Sequence, residues 1–401
     1  MAEIDELLPI KGIRLASVAA GIKKNGNDDL VVMAIDESSN CAASFTKNAF
    51  CAAPVTLAKQ HLSQHSPRAL LINSGNANAG TGDTGMQNAQ QSCQWLASAL
   101  GVLSEQVLPF STGVIGEQLP MPVIQSGITQ VVSKLAEENW TDAARGIMTT
   151  DTVAKAVSRT MQIGDKKITI SGIAKGSGMI CPDMATMLAF IATDADVDAG
   201  FLQLCLSQAV DDSFNAITVD GDTSTNDACV IIATGKAANQ CLIESSKDSQ
   251  KFIDAVKEVC LLLAQAIVRD AEGATKFVTV GVDKALTKEE ARKVAYTIAH
   301  SPLVKTALFA SDPNWGRILA AVGRAGVQQL DISNVDIFLG DVCIVRGGGV
   351  DSNYSEEKGQ AVMNEKEIAI RVELGRGEES ATIWTSDLSH EYVRINSEYR
   401  S

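Results

Sequence analysis

Short apolar runs that stop abruptly at turn-forming residues constrain this chain most. Leu30–Ile35 (LVVMAI) and Ala69–Ile72 (ALLI) contain no polar residue, and each is closed by Asp, Asn, Ser or Gly. That pattern reads as strands buried in a sheet. Segments of helical spacing stand between such runs. Phe201, Leu202, Cys205, Leu206, Ala209 and Val210 share one face of Phe201–Phe214. Phe252, Val256, Val259, Cys260, Leu263 and Ile267 repeat the pattern in a second helix. Thr275–Val282 then reads as a strand. Near the C-terminus Ile368, Ile370, Val372 and Leu374 alternate with Glu367, Arg371 and Glu373, and Ala381–Trp384 follows the Gly375-Arg-Gly377 turn. The expectation there is an antiparallel hairpin with one wet face. With no repeat, low-complexity tract or clear linker, the chain reads as a compact α/β or α+β protein of enzyme size.

Composition narrows the partners. Lys plus Arg number 34 against 48 Asp plus Glu, a net charge of −14 over 401 residues. A field of that sign repels phosphate backbones and anionic lipid, so neither nucleic acid nor membrane is an expected partner. Aromatics make up 4% beside 31 glycines, so the core must be mainly aliphatic. No run reaches the roughly 18 apolar residues a membrane helix needs; Val259–Val268 is interrupted by Gln265. The start, Met1-Ala-Glu-Ile-Asp-Glu, is acidic where a secretory signal is basic, which predicts a cytoplasmic protein. Nine scattered cysteines without a Cys-x-x-Cys pair suggest neither a disulfide framework nor zinc. His61 and His65 have i, i+4 spacing but sit in a Gln/Ser stretch and read as a solvated surface pair. No metal is expected.

Three segments invite chemical readings. Gly80-Thr-Gly82-Asp-Thr-Gly85 is a literal GxGxxG, but seven irregular residues separate it from the preceding strand, so a connecting loop is preferred over a dinucleotide site. Asp220-Gly-Asp222-Thr-Ser224-Thr-Asn226-Asp227 resembles a calcium loop, yet its sixth and twelfth places hold Thr225 and Ile231 rather than Gly and Glu. A polar turn near an active site is the better reading, and no catalytic role is assigned to it. The third segment differs. A strand ends near Gly172, a Gly/Ser loop carries Lys175, and an apolar run, Met187–Ala192, opens after Ala185-Thr186. A threonine hydroxyl is a poor nucleophile without an adjacent base, and no His is near in sequence. Cleavage between Ala185 and Thr186 would free an α-amine, of ordinary pKa about 7.7–8, on the same residue.

Several runs in order resemble signatures of the arginine-biosynthesis ornithine acetyltransferase family. They are Ser111-Thr-Gly-Val-Ile-Gly116, Met148-Thr-Thr-Asp-Thr152, Ala174-Lys-Gly-Ser-Gly-Met179, Ala185-Thr-Met-Leu188, Ile217–Asp227, Asp270-Ala-Glu-Gly-Ala-Thr-Lys276 and Asp312-Pro-Asn-Trp-Gly-Arg317. With Ala20–Lys23, Ala53–Val55 and Ile395-Asn396, the match covers nearly the whole chain.

The resemblance implies a precursor that cuts itself before Thr186 by an N→O acyl shift. The products would be an α chain, 1–185, and a β chain, 186–401, intertwined as one unit and assembled as α2β2. The implied fold is a four-layer α-β-β-α stack of mixed sheets flanked by helices. The implied reaction is ping-pong: N2-acetylornithine acetylates Thr186, ornithine leaves, and glutamate takes the acetyl group. Thr112 (hydroxyl) and Gly113 (N–H) would form the oxyanion hole. Substrate contacts carry over to Thr149, Lys175, Thr186, Glu272, Asn396 and Ser401, the last standing where family members often have Thr. Lys175 suits an α-carboxylate and Glu272 an ammonium. The resemblance implies no cofactor. Acetyl-CoA as a second donor fits the family, although no phosphate-cradling loop or basic cluster speaks for it.

Three rival readings remain at this level. They are a Thr-nucleophile amidase or aminopeptidase of related fold, a nucleotide-binding oxidoreductase using Gly80–Gly85, and a non-catalytic assembly protein.

Overall fold

The computed structural model describes residues 7–181 and 187–398. They form a mixed α/β structure in two compact units. The first comprises residues up to 179, 183–215 and 222–267; the second comprises 180–182, 216–221 and 268 onward.

In the first unit a four-stranded sheet runs in the order Ile13–Val18, Leu30–Ile35, Ala69–Asn73, Val107–Ser111, antiparallel except for the last pair. A five-stranded sheet runs in the order Asn40–Phe45, Ala228–Ala233, Leu188–Thr193, Lys166–Lys175, Lys155–Ile163, with one parallel pair at its centre. Alternate residues of each strand decide the layering. Leu15, Val31, Met33, Leu70, Ile72, Leu108 and Phe110 of the first sheet share one buried cluster with Ile173, Leu188, Phe190, Val230 and Ile232 of the second. Phe110 and Phe190 meet edge to face at 5.1 Å between ring centroids. The intervening residues of the first sheet, among them Val32, Leu71 and Val107, pack on helices Gly82–Leu100 and Met121–Val132. On the far face of the second sheet, Gly172 leaves just enough room for Val259 and Leu263 of helix Ser249–Arg269. Helix Ala199–Asp211 meets that helix through Phe201 and Phe252. The result is the helix–sheet–sheet–helix stack implied by the family resemblance.

The second unit has one six-stranded sheet in the order Gly349–Val350, Val342–Arg346, Asp336–Leu339, Glu367–Glu373, Phe277–Ala285, Glu379–Ser386. Helices Lys288–Ala299, Pro302–Phe309 and Trp315–Gly323 contribute apolar residues to its core. Here the sequence reading needs correction. Glu367–Glu373 shows the expected alternation, with Ile368, Ile370 and Val372 buried. Yet it does not pair with Glu379–Ser386. Phe277–Ala285 lies between them, parallel to the first and antiparallel to the second. Alternation reports which face is buried; it carries no information about which strand is the neighbour.

A second correction concerns His61. It is buried, and its Nδ1 lies 2.8 Å from the Val107 carbonyl oxygen, while His65 is exposed. The Gln/Ser composition around it belongs to the opposite helix face. Among the described residues no helix is long and apolar enough to cross a membrane, and no group of three or more His, Cys, Asp or Glu could hold a metal ion.

Candidate active site

Val107–Ser111 is an edge strand, which is why it tolerates Pro109, a residue with no N–H to give a neighbour. It runs parallel to Ala69–Asn73, so both strands deliver their next residues to the same sheet end. There the two loops touch backbone to backbone. Thr112 N–H donates to the Asn73 carbonyl (2.9 Å), and Val114 N–H to that of Gly75 (3.5 Å). Gly113 has φ +129°, and a Cβ on it would lie 2.5 Å from the Gly75 carbonyl carbon. Only glycine fits. Among the described residues the Gly113 N–H meets no acceptor. The expected oxyanion-hole pair is thus a buried hydroxyl beside a backbone donor.

The five-stranded sheet supplies the opposing wall. Lys175, Leu188 and Ala228 stand in register across three strands. Lys175 is 4% exposed, and its Nζ donates to Thr112 Oγ1 at 3.2 Å. Around it runs a polar network that the residue types alone did not reveal. Asp151 Oδ1 accepts from Lys155 Nζ (2.6 Å) and from the Gly176 N–H (2.7 Å), while Oδ2 accepts from the Thr149 N–H (2.9 Å). Although burial pushes its carboxyl upward, Lys155 and Lys175 outweigh burial and hold it well below the carboxylate range. Lys23 lies in the same field. Burial brings its ammonium down to about 8, against the pull of Asp29 and Asp151. Asp29 anchors that segment by accepting the Ala20, Gly21, Ile22 and Lys23 N–H groups at 2.6–3.1 Å.

Thr186 and Ala185 lie outside the described residues, as does Ser401. The apolar run read as Met187–Ala192 is a strand, Leu188–Thr193. Met187 N–H donates to Asp227 Oδ1 at 3.1 Å. Asp227 is 1% exposed, and its Oδ2 has no hydrogen-bond partner among the described residues. Burial pushes this carboxyl well above its usual range. Next to it, Asn226 Nδ2 donates to the Ala77 and Ser111 carbonyls (2.7 and 2.9 Å) and so ties the end of strand Val107–Ser111 and the loop after Asn73 to the residues that lead into Ala228–Ala233. The end of the polar turn, Asn226 and Asp227, therefore buttresses the site. Asn226 and Asp227 lie in the turn expected near an active site, but Asp151 and Lys155 were missed because nothing in their spacing marks them as buried. The one available signal was a lone acid among the threonines of Met148–Thr152.

The expected oxyanion-hole and substrate residues fall into two groups. Thr112, Gly113, Thr149 and Lys175 gather in the first unit. In the second, Asn396 Nδ2 donates to Glu272 Oε2 at 2.7 Å. Gly273, with φ +67°, sits against Ser389 and Tyr392, which sets the turn carrying Glu272 on helix His390–Ser397. The Gly80–Gly85 motif has no such role. Gly82 already begins the helix, and a Cβ on Gly85 would sit 1.9 Å from Thr81 Oγ1, so that glycine is a packing requirement.

A hydroxyl and a backbone donor at the mouth of a two-sheet stack, faced by a buried cation, define the acyl-transfer class of enzyme. The comparisons make that specific. The model of the ArgJ family matches residues 14–401. The arginine biosynthesis bifunctional protein ArgJ of Methylococcus capsulatus is 56% identical over 395 residues, covering 98% of this chain and 97% of that protein. Its namesake from Pseudomonas fluorescens is 55% identical over 402 residues, with 100% and 99% coverage. Among solved structures, ornithine acetyltransferase from Mycobacterium tuberculosis, complexed with ornithine, is 33% identical over 45% of this chain and 96% of that one, with a TM-score of 0.39. The chain belongs to the ArgJ family.

Proposed function

We propose that this chain, an acetyltransferase of arginine biosynthesis by its family, moves the acetyl group of N2-acetylornithine to glutamate through an acetyl ester on Thr186. The observation that carries the reading is the Thr112–Gly113 pair facing Lys175 at 3.2 Å. Self-cleavage frees the α-amine of Thr186, which takes the hydroxyl proton as Oγ attacks the acetyl carbonyl. The tetrahedral oxyanion is met by the Thr112 hydroxyl and the Gly113 N–H. Collapse expels the ornithine amine, which takes the proton from the Thr186 α-ammonium. Glutamate repeats the sequence in reverse and leaves as N-acetylglutamate. Lys175 suits the α-carboxylate common to both substrates, Thr149 and Ser401 add polar contacts, and Glu272 with Asn396 suits the ornithine ammonium. None of these steps calls for a cofactor. The relatives' description as bifunctional supports acetyl-CoA as a second donor. The two fragments stay together, two of each in the assembly.

The test separates a transferase from a hydrolase of the same nucleophile. With N2-acetylornithine as donor, N-acetylglutamate should form in step with ornithine, and acetate release should fall when glutamate is added. Acetate released at the same rate with and without glutamate would assign the site to the amidase class.

A further inference from the structure

Lys175 has so far been given a substrate's carboxylate to bind, yet its side chain also meets a protein hydroxyl. Nζ lies 3.2 Å from Thr112 Oγ1, both groups are buried, and the geometry is that of a hydrogen bond. An ammonium has three donors and no acceptor, so the threonine oxygen must be the acceptor. That fixes where the Thr112 proton can go. It cannot point at Lys175 and is left for another oxygen. A hydroxyl that could otherwise rotate is turned into a donor of defined direction, which is what an oxyanion hole requires. The carboxylate that holds this arrangement is Asp151. By accepting the Gly176 N–H it fixes the residue directly after Lys175, by accepting the Thr149 N–H it ties in the facing turn, and Lys155 balances its charge.

We propose that Lys175 acts through Thr112, orienting its hydroxyl proton toward the developing oxyanion, and that Asp151 is the positioning residue that keeps Lys175 there. The inference rests on the oxyanion role of Thr112 given above, and a double-mutant cycle separates the two. Mature two-fragment Thr112→Val, Lys175→Met and the double variant would be assayed for acetyl transfer from N2-acetylornithine to glutamate. Each single change should lower kcat about 100-fold. The double should fall within about threefold of the weaker single variant, because the second change removes a donor whose target is already gone. Asp151→Asn should also lower kcat, and that loss should likewise vanish in the Thr112→Val background. Losses that multiply to about 10,000-fold, or a Lys175→Met enzyme with raised KM and unchanged kcat, would overturn the proposal and leave Lys175 as a carboxylate anchor. Thr112→Val with wild-type kcat would instead remove the oxyanion reading itself. If Lys175→Met does not mature, Lys175→Gln takes its place under the same criterion: a kcat loss that persists without the Thr112 hydroxyl overturns the proposal.

Discussion

Thr186→Ala should remain a single uncut polypeptide and lose acetyl transfer by at least about 10⁴-fold. The wild-type protein should instead separate under denaturing conditions into fragments 1–185 and 186–401. The two losses share one cause. In the proposed mechanism the cut needs Oγ to attack the Ala185 carbonyl, and the transfer needs the same Oγ to carry the acetyl group. The proposed general base is also a product of that cut, since an α-amine on Thr186 exists only after the amide has been opened. Alanine supplies neither hydroxyl nor, therefore, free amine. Thr186→Ser keeps both and should still cut, with the missing γ-methyl affecting placement more than chemistry. Mass analysis of the purified, denatured proteins reads all three outcomes. An uncut wild-type chain with full activity would show that the base is some other group. The buried surroundings of Met187, anchored to Asp227, would then be the place to look for it.

How far the sequence revealed this site depended on what kind of information each residue carries. Strands such as Leu30–Ile35 and Leu188–Thr193 were legible because a short run with no polar face has one stable destination, a sheet covered on both sides. The amphipathic helices were legible for the matching reason, and their observed bounds differ from the expected ones by a few residues at the ends. Strand partners were not legible. The turn at Gly375–Gly377 and the two alternating runs suggested a hairpin, and the run inserted between them lies ninety residues earlier in the chain. Local patterning cannot encode a neighbour that distant.

The same division holds among polar residues. Thr112, Gly113 and Lys175 came from motif resemblance, and the structure shows what brings them together: parallel strand ends, a positive φ that only glycine takes easily, and a Lys175–Thr112 hydrogen bond. Asp151 and Asn226 act by bonding backbone groups brought near only by folding, so their type and spacing look like those of any turn residue. His61 shows the reverse error. Its polar neighbours in sequence face away, and the ring itself turns inward to a strand carbonyl.

Gly113→Ala should cost about 10²- to 10³-fold in kcat with a much smaller change in KM, since the N–H it displaces is used only when oxygen charge develops. The structural cause is double. At φ +129° an L-residue is strained whatever the space around it, and here there is no space. The added Cβ would lie 2.5 Å from the Gly75 carbonyl carbon, 2.6 Å from its oxygen and 2.7 Å from the Asn76 nitrogen. All three are backbone atoms, which no rotamer change can move. The loop after Ser111 must therefore withdraw from the loop after Asn73, carrying the donor out of line. Gly101→Ala is the matched control: it also has positive φ, at a helix C-terminus, but nothing lies within 4 Å of its Cβ. It should lower stability by about 1 kcal/mol and leave kcat alone. Comparing melting temperature with kcat for the two variants isolates the catalytic loss from backbone strain. If both lose stability and neither loses kcat in the mature enzyme, the Gly113 N–H does not serve the transition state, and the oxyanion must be held by side chains alone.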